Sequence, residues 1–185
     1  MTKATTDLPA APQTLQDLLD REAIRDCLHR YCRGIDRVDE ACLRSVYWPD
    51  ATDRHGPYQG TATGFIEWAL DKLKDAPRGV HMLSNILIDL RGEVAGVESY
   101  FHALQVDRDA QGGLRENTLV GRYVDRFEKR GGQWRIAQRT VVYDWIGQQA
   151  MAEKSDEQAF GVRQPNGARQ PADPLYAMLK GLPAR

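Results

Sequence analysis

The chain reads as an α+β protein in which a long, strongly curved sheet wraps around helices that precede it. Two observations carry this. Up to Pro77 the apolar residues recur at helical spacing, and after it they keep strand period to about Trp145. The strand-like stretches are then joined by short glycine-bearing links, Arg91-Gly92-Glu93, 107–115 with Gly112-Gly113, and Arg130-Gly131-Gly132, which are hairpin chemistry. Strands of ten or more residues in so small a domain must coil, which gives the expected shape.

Thr14 is the expected N-cap of the first helix, which runs to Ile35 or Asp36 with Asp17 in its first turn. Leu15, Leu18, Leu19, Ile24, Cys27, Leu28, Tyr31, Cys32 and Ile35 form one apolar stripe, with Asp36 leaving at the core-facing edge. A short helix over 39–46 leads into Tyr47–Asp53, a turn and a short strand. His55-Gly56-Pro57 is turn sequence in which His55 is expected to be exposed. Thr61 or Thr63 caps a third helix with Phe65, Ile66, Ala69, Leu70 and Leu73 on one side, ending before Pro77.

The strands expected next are Val80–Leu90, Val94–Asp107, Thr118–Lys129 and Gln133–Trp145. In the first, strict alternation puts Ser84, Ile86, Ile88 and Leu90 on one face. Asn85, Leu87 and Asp89 take the other, and His81 is grouped with them. In the last, Arg135, Ala137, Arg139, Val141, Tyr143 and Trp145 share one face and Trp134, Ile136, Gln138, Thr140, Val142 and Asp144 the other, neither cleanly apolar. Beyond Gly147 regularity fades until Asp173-Pro174 starts a last short helix, Leu175–Leu179. The apolar residues of this tail, among them Phe160, Leu175 and Tyr176, need cover, as a pocket lid or a subunit contact. The organisation expected is a flexible leader (1–13), one domain (14–146) and a tail (147–185).

Composition narrows the function. A net charge of −1 gives no attraction to nucleic acid or to an anionic membrane surface. No apolar run reaches membrane-span length, and the first twelve residues hold no signal-peptide core, so a cytoplasmic protein is expected. Cys27, Cys32 and Cys42 have neither the pairing number nor the spacing for disulfides or zinc. There is no GxGxxG after a strand, no P-loop and no HExxH, so neither cofactor nor metal is expected.

The order helix, short helix, helix, long strands is similar to the α+β cone of nuclear transport factor 2-like (NTF2-like) proteins. "REAIRDCLHRYCRGIDRVDE" (21–40), "GVHMLSNILIDL" (79–90), "ENTLVGRYVDRFEKRGGQWRIAQRTV" (116–141) and "DPLYAML" (173–179) resemble blocks of its SnoaL-like branch, which includes bile acid 7α-dehydratase, scytalone dehydratase and hexachlorocyclohexane dehydrochlorinase. The resemblance implies a catalytic pair of His81 and Asp36, with Tyr31 and Arg139 as further catalytic residues. His102 takes the place of a second site histidine, and Trp48, Phe65, Asn85 and Tyr143 are the remaining expected substrate contacts.

A histidine suits proton abstraction near pH 7, and a carboxylate on its far nitrogen fixes the tautomer and stabilises the imidazolium. Tyr31 would donate to an enolate or departing hydroxide, and Arg139 would hold an anionic oxygen. The activity so implied is that of a cofactor-independent lyase removing water from a cyclic or aromatic small molecule. The alternatives are a carbon–carbon lyase releasing an aldehyde, an isomerase or polyketide cyclase, and a non-catalytic assembly subunit like those of ring-hydroxylating dioxygenases. A small hydrophobic substrate and a homotrimer, or else a homodimer, are the expected partners.

Overall fold

The computed structural model describes residues 11–151, 158, 161 and 165–183. Most of the expected leader lies outside them, as do Phe160 and much of the irregular stretch after Met151. Helix α1 (Leu15–Arg37) begins at a capping box. Thr14 accepts from the Asp17 N–H, and the Asp17 carboxylate accepts from the N–H groups of Thr14 and Gln13. It ends where Val38 turns into the left-handed region, and the Asp39 N–H reaches back to the Gly34 carbonyl. Helix α2 (Glu40–Val46) follows at once, capped by Asp39. Gly34 lets the two helices close, because a Cβ there would stand 2.6 Å from Leu43.

The apolar stripe of α1 is buried only from Ile24 onward. Leu15, Leu18 and Leu19 are exposed, so the first turns project past the sheet. There Asp20 is the buried residue, held by Lys129 at 2.9 Å.

Strand β1 (Tyr47–His55) and a short β2 (Tyr58–Thr61) form a hairpin, giving one strand more than the sequence suggested, and Thr61 caps α3 (Ala62–Leu73). The long strands β3 (Arg78–Arg91), β4 (Val94–Arg108), β5 (Leu114–Arg130) and β6 (Gln133–Ala150) complete a six-stranded sheet in the order β2-β1-β6-β5-β4-β3. Every pairing is antiparallel except β1 with β6, which makes the sheet mixed. Its concave face packs on α1 and α3 through Ile24, Leu28, Phe65, Ile88, Phe127 and Ile136.

Bulges bend this sheet, and they overturn two expected face assignments. In β3, Asn85 and Ile86 together face Ser99, with Asn85 at φ 46°. The extra residue shifts parity. The inward set is Gly79, His81 and Leu83 before the bulge, and Ile86, Ile88 and Leu90 after it. His81 therefore shares its face with the apolar residues, not with Leu87 and Asp89. In β6 the same happens at Ala137, so Trp134 and Ile136 point inward before it and Arg139, Val141 and Tyr143 after it. This is why neither face of that strand reads as apolar.

The last helix, α4 (Pro174–Lys180), and the segment before it lie against the end of α1. Asp173 pairs with Arg37 at 3.3 Å and the Tyr176 hydroxyl donates to Asp39 at 2.9 Å. The Gln170 N–H donates to the Arg37 carbonyl, and Arg169 donates to the Ala76 carbonyl. The tail thus ties the C-terminus of α1 to the linker entering β3. Among the described residues no helix is long and apolar enough to cross a membrane.

Candidate active site

The last turn of α1 and the start of β3 bring Asp36 and His81 together. Asp36 Oδ1 lies 2.6 Å from His81 Nδ1, and Asp36 Oδ2 accepts the His81 backbone N–H at 3.0 Å. The two side chains are 8% and 9% exposed. With Nδ1 occupied, the imidazole has Nε2 left for another partner, which is the arrangement of an oriented base.

Tyr31 and Arg139 are brought together with each other, under the sheet's concave face. The guanidinium carbon of Arg139 sits 4.1 Å from the ring centroids of both Tyr31 and Tyr123. Its Nε and Nη2 form a fork on Asp125 at 2.8 and 2.7 Å, with both side chains fully buried. Burial works against the Arg139 charge, but Asp125 and the neighbouring tyrosine oxygens outweigh it and hold its pKa well above the ordinary value. Burial likewise pushes the Tyr31 hydroxyl up, which keeps it protonated. Arg139, expected to hold a substrate anion, is already neutralised by a strand neighbour, and Tyr31 is part of the same packed cluster.

Of the expected substrate contacts, Phe65 and Tyr143 join this interior. Seven rings touch in a closed circuit running through Tyr31, Tyr47, Phe65, His55, Tyr143, Phe101 and Tyr123, with centroid separations from 4.6 to 6.3 Å. Burial pushes the Tyr143 hydroxyl up to about 12.

The other three are placed elsewhere. Asn85 is exposed on the bulge, where its left-handed backbone is its contribution. His102 is exposed on the outer sheet face, in a row with Met82 and Val120, because its neighbours Phe101 and Ala103 take the inner one. Trp48 donates to the Glu128 carbonyl and stacks against Arg130 and Arg135 beside the β5–β6 turn. It borders a shallow groove of about 160 Å³ shared with Arg44 and Thr63. The row of strand partners that starts at His81 crosses the opposite end of those strands, at Leu119 and Ile146.

The structure also collects residues that the sequence did not single out. Asp53, Arg139 and Asp125 are adjacent partners on β1, β6 and β5, so two carboxylates flank one guanidinium in the core. Tyr47 donates to Asp53 Oδ2 at 2.6 Å. His55, expected to be exposed, has a side chain only 19% exposed and stacks on Phe65 at 4.6 Å. The spacing Asp53-x-His55 on one strand face was the available signal. Residues 125 and 139 could be paired only once the bulge was known.

Cys27 and Cys32 are buried free thiols, which burial pushes up to about 12. Among the described residues no cluster of three or more His, Cys, Asp or Glu side chains is placed to hold a metal ion.

The profile of the SnoaL-like domain matches residues 16–140. The chain belongs to the SnoaL-like family. Solved structures of this shape include a scytalone dehydratase-like protein of Novosphingobium aromaticivorans, 22% identical, with a TM-score of 0.62 over 71% of this chain and 88% of that one. The LinA-type3 hexachlorocyclohexane dehydrochlorinase of Novosphingobium barchaimii is 20% identical, with a TM-score of 0.60 over 76% and 95%. Rv3472 of Mycobacterium tuberculosis, a protein of unknown function, is 25% identical, with a TM-score of 0.58 over 73% and 78%. None of the curated proteins matches the chain. This SnoaL-like chain therefore has the NTF2-like α+β fold, with dehydratase-like and dehydrochlorinase proteins among its structural neighbours.

Proposed function

We propose that this SnoaL-like protein is a cofactor-independent lyase in which His81, oriented by Asp36, removes a proton next to an activating group of a cyclic or aromatic small molecule, with loss of water from the neighbouring carbon. The observation that supports this best is the 2.6 Å contact between His81 Nδ1 and Asp36, made across 45 residues of chain and nearly sealed from solvent. A helix C-terminus disfavours a carboxylate, so a helix that ends on one, turned inward onto an imidazole, is costly for architecture alone. Positioned acid–base catalysis of this kind accelerates reactions by about 10²–10⁴-fold. The aromatic wall formed by Phe101 and Tyr143 suits a flat, hydrophobic substrate.

The same pair serves a carbon–carbon lyase if the proton is taken from a hydroxyl and an aldehyde departs. Screening hydroxylated steroids and lignin-type phenolics by mass separates the two readings, since dehydration removes 18 Da and loss of formaldehyde 30 Da, roughly, while an isomerase leaves mass unchanged. Lack of turnover across such a panel, with His81→Ala indistinguishable from wild type, rejects the enzyme in favour of a binding or assembly subunit.

The outer face of the sheet exposes Val80, Met82, Tyr100 and Trp145, the last at 68%, which supports a homo-oligomer built on that face. A trimer is the form proposed and a dimer the alternative. Light scattering that returns a monomer rejects both.

A further inference from the structure

Three buried polar atoms in the ring of aromatics have no hydrogen-bond partner: His55 Nδ1, Asp53 Oδ1 and Arg139 Nη1. Such groups are expensive to leave unpaired and are few in native proteins. Two of them face each other. His55 Nδ1 lies 3.6 Å from Asp53 Oδ1, a few tenths of an ångström beyond a hydrogen bond. Asp53 is itself fixed, its other oxygen taking the Tyr47 hydroxyl at 2.6 Å. His55 thereby repeats the arrangement of His81, with Nδ1 turned to a buried carboxylate and Nε2 left over.

The two histidines sit on one surface. His81 on β3, Phe101 on β4, Tyr143 on β6 and His55 on β1 all belong to the inward faces of their strands. Phe101 and Tyr143 meet at 6.0 Å over Gly121, which has no side chain to separate them, and His55 touches Tyr143 at 6.3 Å. A flat molecule lying on the Phe101–Tyr143 wall would have an imidazole toward each end. The charge count also singles out His55. The Asp53–Arg139–Asp125 row holds two carboxylates against one guanidinium, so a proton on His55 brings the buried group to neutrality.

We infer that His55, oriented by Asp53, is a second proton-transfer residue, which donates from Nε2 to the carbonyl oxygen of a cyclic ketone while His81 takes the adjacent C–H proton. This rests on the base role proposed for His81. The C–H electron pair becomes the C=C bond, the carbonyl π pair moves to oxygen, and that oxygen receives the His55 proton. With a hydroxyl on the β-carbon, the enol returns its proton to His55 and the C=O bond re-forms. The C–O bond then breaks, and hydroxide leaves as water with the proton held on His81. Substrate becomes enone plus water, and both histidines return to their starting states.

The probe is 2-tetralone in D₂O, which needs only enolisation, read as deuterium gained at its α-carbons by NMR. Wild type is expected to exceed the buffer rate and His81→Ala to match it. His55→Phe, which keeps the stack on Phe65 but cannot donate, is expected to lower exchange by about 10²-fold. His55→Gln, which keeps a donor, should fall between, and circular dichroism checks that each variant is folded. A folded His55→Phe exchanging within a factor of two of wild type, while His81→Ala is silent, overturns the role of His55 and leaves that of His81 intact. If His55→Phe does not fold, the Gln variant decides: an unchanged rate overturns the inference and a tenfold loss upholds it. Wild type at the buffer rate overturns the base reading and this inference together.

Discussion

Asp36 holds His81 twice, through the imidazole Nδ1 at 2.6 Å and through the backbone N–H at 3.0 Å. One carboxylate thus sets both the ring orientation and the path by which β3 leaves the α3 linker. The contact joins the last turn of α1 to the first turns of the sheet, and the tail braces both sides of it, at Arg37 and at Ala76.

Replacing Asp36 by Asn should therefore separate chemistry from folding. The amide oxygen can still accept the backbone N–H, but the amide nitrogen then donates to Nδ1 and moves the ring proton to Nε2, where the lone pair is needed. Turnover should fall at least about 10²-fold in Asp36→Asn and in His81→Ala. The loss of one charge-assisted bond in Asp36→Asn should cost about 1–3 kcal/mol by urea unfolding. Activity within a factor of two of wild type in either variant removes the pair from the mechanism.

Much of this architecture was legible because it depends on local patterns. The capping box at Thr14 and Asp17, the stop before Pro77 and the glycine links between strands each act within a few residues. What failed was parity. Alternation in β3 and β6 was read across Asn85 and Ala137, where each bulge adds one residue with no sequence signal strong enough to mark it. Asn85 was misplaced for this reason. His102 came from the resemblance alone, on an unbulged strand where Phe101 and Ala103 take the inner face. The Asp125 partner of Arg139 was invisible, since cross-strand neighbours follow from register and not from spacing. His55 was masked by the Gly-Pro turn beside it.

The bulge makes a prediction of its own. Asn85 holds φ 46°, which asparagine tolerates and a β-branched residue does not, so Asn85→Val should lose roughly 1–2 kcal/mol. Deleting Asn85 removes the extra residue, so Ile86 alone faces Ser99 and strict alternation keeps His81, Leu83, Ile86 and Ile88 on one inward face. Activity should therefore persist in a deletion variant that folds. Loss of activity in a folded deletion variant would mean that the bend of β3, and not parity alone, brings His81 onto Asp36.

Arg139 and Asp125 form a fully buried pair, and breaking one side strands the other charge. Arg139→Met alone should destabilise the protein by about 3–5 kcal/mol. Adding Asp125→Leu should recover only part of that loss, because it removes one stranded carboxylate but leaves the buried Asp53 without its guanidinium neighbour. Chemical denaturation of the two single variants and the double variant gives the coupling directly. Additive losses would mean that the pair does not act as a unit.

The tail should detach in acid. The backbone N–H groups of Ala168 and Leu175 hold the Asp173 carboxyl below its ordinary value of 3.8, against a desolvation that raises it, with Arg37 helping. A carboxylate lowered in the folded state stabilises fully above 3.8, and this is lost as pH falls through the lower folded value. Hydrogen exchange in residues 165–183 should therefore rise as pH falls below the ordinary carboxyl value of 3.8, ahead of the sheet. Asp173→Ala should show the same local opening at neutral pH. Protection in the tail that persists until the whole protein unfolds rejects a separable strap.

Gly121 is where the sheet can least accept a side chain. A Cβ there would stand 2.1 Å from the Val142 carbonyl oxygen and 3.0 Å from the Phe101 ring. The first contact is with backbone that β5 and β6 already hold in register on either side of the Asp144 bulge, so it has little freedom to retreat. The second would drive Phe101 out of its stack on Tyr123 and away from Tyr143. Gly121→Ala should thus cost about 1–3 kcal/mol by overpacking and disturb the near-ultraviolet aromatic signal. Gly96→Ala on the neighbouring strand, with nothing within 4 Å, is the control that should leave both unchanged. Equal behaviour of the two would mean that the aromatic wall relaxes freely, and a wall that soft would not hold a flat substrate in one orientation.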